Sequence, residues 1–269
     1  MAGDAHKVSF GADCEGFLCL PREESPAGAV IILHERYGLV QHTLDLARRL
    51  ARDGYVALAP NLFSRWKGDE EDLRSGKARV TLPDPEVAAV IDEALDFLKR
   101  NPRVAPERIA LMGVCQSGRY PVVVGSRRRD LAALVVFYGA SQARDWEASE
   151  LQPRAMPEMM RSLAAPALFA YGECDHTISL ADVRRVREAL EEGRCSYRMK
   201  VFRGMPHGWL NDTMPGRYRA KEAEEAWALL LGFLGDVFGG RWPGQGQVRW
   251  EFESASSADY DFSKNVRLE

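Results

Sequence analysis

The chain is poor in the residues that build metal sites and disulfide frameworks: five cysteines and five histidines are spread over 269 residues. No Cys-x-x-Cys pair occurs, and the histidines show no zinc-ligand spacing, so neither a metal nor a cofactor is expected. An odd, sparse set of thiols (Cys14, Cys19, Cys115, Cys174, Cys195) points to a reducing, cytoplasmic setting. Positive charge is not in excess: 36 Lys and Arg stand against 39 Asp and Glu, a net −3, which excludes a broad nucleic-acid-binding surface. The cluster Arg127-Arg128-Arg129 reads as a solvated turn. No apolar run reaches membrane-spanning length, and the first residues lack the apolar stretch of a signal peptide, so no membrane partner is expected. Internal repeats and low-complexity linkers are missing too, and one large domain fits the length.

What is present is a rhythm of short apolar runs and amphipathic segments. Residues 29–33, 56–59, 109–112, 131–138 and 167–171 are apolar runs, the signature of strands buried on both faces. Helical spacing links them, over Leu44 to Ala51, from Pro85 to Leu98, over 180–192 and over 219–238. Two weaker strands are expected near 7–10 and 15–20, and an alternating, half-exposed one over 196–202, near the sheet edge. Residues 61–82 read as a long loop with a short helix, and Met156, Met159 and Met160 as packing residues of an insertion. Strands alternating with helices predict an α/β fold: a mostly parallel sheet covered on both faces.

The stretch around which this pattern is organised is Gly113-Val114-Cys115-Gln116-Ser117-Gly118, directly after the 109–112 run. Small residues at 113, 117 and 118 allow a tight strand-to-helix turn that lifts Cys115 above the sheet edge. In an open parallel sheet, functional groups collect at the carboxyl ends of strands, and Glu35, Cys115, Asp175 and His207 all fall there. Cys115, Asp175, His207 is the chain order nucleophile, acid, base of α/β-hydrolase folds. His207 would carry the thiol proton, Asp175 would fix the imidazole, and the N–H groups of Gln116 and Arg36 would meet the oxyanion. Ser117 is a rival nucleophile, but Cys115 and Arg119 flank it two residues away on either side where glycines would be needed, and it is discounted.

These residues resemble the dienelactone hydrolase family. The matching stretches are Leu33-His34-Glu35-Arg36-Tyr37-Gly38, Ala59-Pro60-Asn61-Leu62-Phe63-Ser64-Arg65, Gly113 to Tyr120, Gly172-Glu173-Cys174-Asp175 and Met205-Pro206-His207-Gly208-Trp209. The resemblance covers about residues 7–238 and implies an α/β-hydrolase fold. It implies hydrolysis of an enol lactone or activated ester, carboxylate-bearing, through a thioester on Cys115. By the same resemblance Glu35 helps deprotonate the thiol, Arg65 holds a substrate carboxylate, and Trp209 and position 211 complete the substrate set. Position 211, where the family has a second arginine, is Asn211 here, and Ser117 stands where the family has glycine.

One hydrolase domain over 1–238 is expected, followed by a C-terminal extension over 239–269. The extension carries an alternating strand pattern at Val248, Trp250 and Phe252, with Tyr260, Phe262 and Val266 beyond it. Too aromatic for a disordered tail, it is expected to pack on its own domain or on a second subunit, leaving monomer and homodimer open. The expected partner is a small lactone or ester. Two other readings stay open from sequence: a non-catalytic ligand-binding protein on the same fold, and a redox-active thiol protein.

Overall fold

The computed structural model describes residues 4–244, 246 and 248–252. Nine strands form one sheet in the order β1-β2-β4-β3-β5-β6-β7-β8-β9. They are β1 (Ala5–Phe10), β2 (Cys14–Cys19), β3 (Ala27–Leu33), β4 (Val56–Pro60), β5 (Val104–Val114), β6 (Ala133–Phe137), β7 (Ala167–Gly172), β8 (Tyr197–Phe202) and β9 (Val248–Phe252). Only the pairings of β2, with β1 and with β4, are antiparallel; the others are parallel.

Helices cover both faces, which explains the continuous apolar runs. Ile31, Leu33 and Leu111 point into one layer with α3 (Asp84–Lys99), α4 (Tyr120–Gly125), α5 (Met156–Met160) and α6 (Leu180–Glu192). Val30, Ile32, Ala110 and Met112 point into the other, under α1 (Gln41–Arg52) and α7 (Ala220–Phe238). Alternate residues of one strand therefore need to be apolar on both sides. Met156, Met159 and Met160 are buried in the first layer as packing residues. Residues 61–82 form irregular structure with one short helix, α2 (Glu70–Arg74).

β5 is longer than the 109–112 run, because it begins at Val104 beside Ala27 and carries a register shift before Ile109. Pro106, Glu107 and Arg108 lie outside the covered part of the sheet and are exposed, so that stretch carries no apolar signal. β8 is not the edge. Tyr197, Met199 and Val201 are fully buried, and β9 pairs beyond it. Trp250 of β9 packs against the α6 layer, while Glu251 on the opposite face accepts from Arg198 (2.7 Å) and Lys200 (3.1 Å). Tyr260, Phe262 and Val266 lie outside the described residues. The basic cluster is pinned: Arg127 and Arg128 pair with Asp92, and Arg129 donates to the Ser162 carbonyl.

Two local devices fix the carboxyl edge of the sheet. His34, buried just after β3, donates from Nδ1 to its neighbour's carbonyl (2.7 Å) and accepts the Leu62 N–H at Nε2 (3.0 Å). Burial holds its imidazole neutral, with a pKa down at about 4. The second device is the turn after β5, where the chain enters a 3-10 segment, Cys115–Arg119, that leads into α4. A Cβ on Gly113 would lie 2.3 Å from the Ser117 carbonyl oxygen and 2.8 Å from Pro121 Cδ. Gly113→Ala should therefore destabilise the protein by about 1–3 kcal/mol, the cost of overpacking against atoms that cannot move freely. Urea denaturation checks this, and an unchanged midpoint would show that the turn has room to spare.

Candidate active site

The turn places Cys115 in the left-handed region, φ 57°, a conformation a non-glycine residue holds only under constraint. Ser117 supplies part of that constraint. Its hydroxyl is buried beneath the turn, within 3.0 Å of the Leu33 carbonyl and 2.9 Å of the Val114 carbonyl, and accepts the Val114 N–H at 3.0 Å. It is thus a fastener tying β3 to the turn, with its oxygen turned away from the sheet edge. Cys115 itself is half-buried.

β7 and β8 bring the remaining groups. The loops after them are laced together: Glu173 and Cys174 donate their N–H groups to the Phe202 and Met205 carbonyls. On that support His207 Nε2 stands 3.1 Å from Cys115 Sγ, and Nδ1 stands 2.8 Å from Asp175 Oδ2. Burial opposes charge on His207, but its bonds to Asp175 and Cys115 outweigh it and push the imidazole up to about 10. Burial likewise works against the Asp175 carboxylate, yet the bonds from His207 and Thr177 hold it below its ordinary value. The pair thus favours the charged form of the imidazole, 3.1 Å from the Cys115 sulfur.

Glu35 is buried at the end of β3, and its Oε2 accepts from Asn211 Nδ2 at 2.6 Å. The Asn211 carbonyl is occupied as well, by the N–H and hydroxyl of Thr213. Asn211 therefore holds Glu35 through its amide nitrogen and Thr213 through its carbonyl oxygen. The Gln116 N–H lies in the first turn of its segment, where no intrahelical acceptor exists. The side chains of Gln116 and Arg36 reach the same loop, donating to the Val80 carbonyl (2.7 Å) and the Gly76 carbonyl (3.0 Å).

Two further expected site residues have partners of their own. Trp209 is fully buried, packed at 4.8 Å against Tyr138 and 5.3 Å against Phe202, so it is a core residue beneath the site. Arg65 donates to Asp13 (2.7 Å) and Glu93 (3.2 Å), in the β1–β2 turn and α3. None of its hydrogen-bond partners belongs to the cluster around Cys115. Sequence spacing could not reveal this, because both acids come from distant parts of the chain.

Several residues of the site carried no sequence signal. Tyr138, with φ 40°, is fully buried, and its ring lies 5.1 Å edge-on to His207. Burial, then the Glu35, Cys115 and Asp175 groups, push its hydroxyl well above its ordinary value. Its place at the carboxyl end of β6 was the one available hint. Arg119, buried behind the turn, donates to both oxygens of Asp84 (2.8 and 2.6 Å) and to Asp145. Thr177 lies against both Asp175 and His207. Among the described residues no group of His, Cys, Asp and Glu converges to hold a metal ion. A groove of about 590 Å³ runs between β1, β2 and the 61–74 segment past Phe17, Tyr37, Phe63 and Trp66.

Two outcomes follow from this geometry. The folded pKa of His207 lies above its free value of 6.5, so the stability it contributes is complete below that pH and is lost as pH rises through about 10. Wild-type urea midpoints should fall over that window more steeply than those of His207→Gln; parallel curves would show that the imidazole is not held charged. Arg65→Ala should leave KM unchanged for esters with and without a carboxylate. A selective rise for the carboxylate-bearing ester would return Arg65 to the substrate set.

Several known proteins are similar to this chain. The sequence profile of the dienelactone hydrolase family matches residues 14–238. A provisionally named carboxymethylenebutenolidase of Salmonella typhimurium is 30% identical over 247 residues, 89% of this chain and 88% of its own. One of Methylorubrum extorquens is 29% identical over 219 residues, 80% of this chain and 74% of its own. Among solved structures, a provisionally named dienelactone hydrolase from Klebsiella pneumoniae superposes with a TM-score of 0.77 at 26% identity, covering 86% of this chain and 98% of that one. A dienelactone hydrolase-like promiscuous phosphotriesterase from metagenomic libraries shares the fold, with a TM-score of 0.73 at 20% identity over 88% of this chain and 99% of that one. With its α/β-hydrolase sheet and a family profile spanning most of its length, the chain belongs to the dienelactone hydrolase family.

Proposed function

We propose that this protein hydrolyses a small lactone or ester with Cys115 as nucleophile, through a thioester intermediate. The observation that carries this is the placement of His207, with one ring nitrogen 3.1 Å from Cys115 Sγ and the other 2.8 Å from Asp175. In the ion pair of Cys115 and His207 the thiol proton lies on His207 Nε2, and the electron pair left on sulfur forms a bond to the acyl carbon. Charge then gathers on the carbonyl oxygen, facing the Gln116 and Arg36 N–H groups. As the C–O bond breaks, His207 returns its proton to the departing oxygen. Water then attacks the thioester, giving its proton to His207, and the thiol is regenerated with release of the acid. Glu35 lies at the same edge, and the resemblance to the family supports a part for it in drawing off the thiol proton.

The names of the relatives point to dienelactone-type substrates, which carry a carboxylate. The two positions where the resemblance puts arginine anchors are otherwise engaged here, Arg65 with Asp13 and Glu93, Asn211 with Glu35. Selection of the substrate through those two positions is therefore not part of the proposal. A thiol nucleophile and five unpaired cysteines favour a reducing cytoplasm as the place of work.

Cys115→Ala should fold and lose at least about 1,000-fold in rate on a p-nitrophenyl ester, as removal of a nucleophile does. Cys115→Ser should also be poor, because an alcohol needs a stronger base. Wild type incubated with a panel of lactones should show an acyl mass increase on the peptide containing Cys115. More than a tenth of wild-type activity in Cys115→Ala would overturn the assignment.

A further inference from the structure

The hydroxyl of Thr177 touches both partners of the base. Its Oγ1 lies 2.9 Å from Asp175 Oδ1 and 2.9 Å from His207 Nδ1. A threonine hydroxyl has one proton, and here it is donated to Asp175 Oδ1. Towards His207 the same oxygen is therefore an acceptor, and the Nδ1–H is shared between it and Asp175 Oδ2. Asp175 Oδ1 takes three bonds in all, with the Thr177 N–H at 2.7 Å and the Ile178 N–H at 3.1 Å. Its other oxygen is left for the imidazole.

Exposure adds a second argument. The Asp175 and His207 side chains are 0% and 5% exposed, whereas Thr177 is an exposed loop residue. Thr177 stands between the pair and bulk water, and excluding water strengthens an ion pair. The loop does not need the hydroxyl for its shape, since the N–H bonds to Asp175 already close the turn.

We propose that Thr177 is a positioning residue for His207, its hydroxyl fixing the imidazole tautomer and sealing the Asp175–His207 bond from solvent. This rests on the reading of His207 as the base of Cys115. The other titratable groups around the ring are Cys115 at Nε2, Tyr138 at 5.1 Å and His176 at 5.8 Å between ring centres, with Glu35 acting on Tyr138. None of these replaces an acceptor at Nδ1.

The test uses two substitutions that separate the hydroxyl from the shape. Thr177→Val keeps the outline and removes the oxygen; Thr177→Ser keeps the oxygen and removes a methyl. With p-nitrophenyl acetate, Thr177→Val should lower kcat about tenfold with KM nearly unchanged, and Thr177→Ser should stay within about threefold of wild type. The ring Cε1–H resonance of His207, assigned by its absence in His207→Asn, should titrate about one unit lower in Thr177→Val and at the wild-type position in Thr177→Ser. Wild-type kcat and titration in Thr177→Val would overturn the proposal, as would equal losses in the two variants. If wild type were inert toward esters, the functional reading would fall, and the His207 midpoint would still decide the role of Thr177.

Discussion

At Gly113 the strand and the segment that follows it approach until no Cβ fits, 2.3 Å from the Ser117 carbonyl oxygen. The site depends on this close approach. It forces the reversal within two residues, and the reversal puts Cys115 at φ 57° with its sulfur at the sheet edge. Such a backbone stores on the order of 1–3 kcal/mol and persists only where the surroundings over-determine it. Gly118 meets a second wall, because a Cβ there would lie 2.7 Å from the Gly139 Cα, at the end of β6. The turn is thus wedged between its own strand and its neighbour, and Ser117 ties it to a third strand, β3.

Behind the wedge, Arg119 binds Asp84 at the start of α3 and Asp145 in the 141–165 insertion, all three nearly without exposure. Losing one partner of such a buried set typically costs about 3–5 kcal/mol, because a charge is left uncompensated. Two carboxylates share one guanidinium. Burial holds Asp84 above the usual carboxylate range even with Arg119 pulling the other way. The network joins the turn after β5, the start of α3 and the insertion. The loops carrying Asp175 and His207 are held differently, since backbone bonds lace them to each other. Cys115 and His207 sit on separate supports whose relative position is set by the parallel register of β5 through β8.

How much of this the sequence discloses follows from the range of the interactions. Buried runs such as 29–33 and 109–112 were legible because double coverage leaves no polar position. The turn was legible because steric exclusion leaves its mark in consecutive small residues. Asp175 and His207 were legible by chain order and by the glycines that punctuate strand ends. Arg65, Trp209 and Asn211 were read through the resemblance, and there the reading stops at the side chain. A sequence shows that an arginine is present, but not that Asp13 and Glu93 reach it first from 52 and 28 residues away. Tyr138, Thr177 and the Arg119 network were silent for the same reason: one residue with no periodicity, partnered across the fold, looks like any other polar residue.

Asn211 gives Glu35 a hydrogen-bond partner that brings no charge. The amide supplies a 2.6 Å bond and no charge, so the nearly buried Glu35 carboxylate is held by a neutral partner. Asp175 and the Cys115 sulfur add negative character at the same edge, and the imidazole of His207 is the cation among them. Arg36, beside Glu35 in sequence, turns its guanidinium to the Gly76 carbonyl and over the Tyr37 ring. The first-turn N–H of Gln116 opens on the same edge with no intrahelical acceptor, so this edge carries a donor of its own beside the His207 ring.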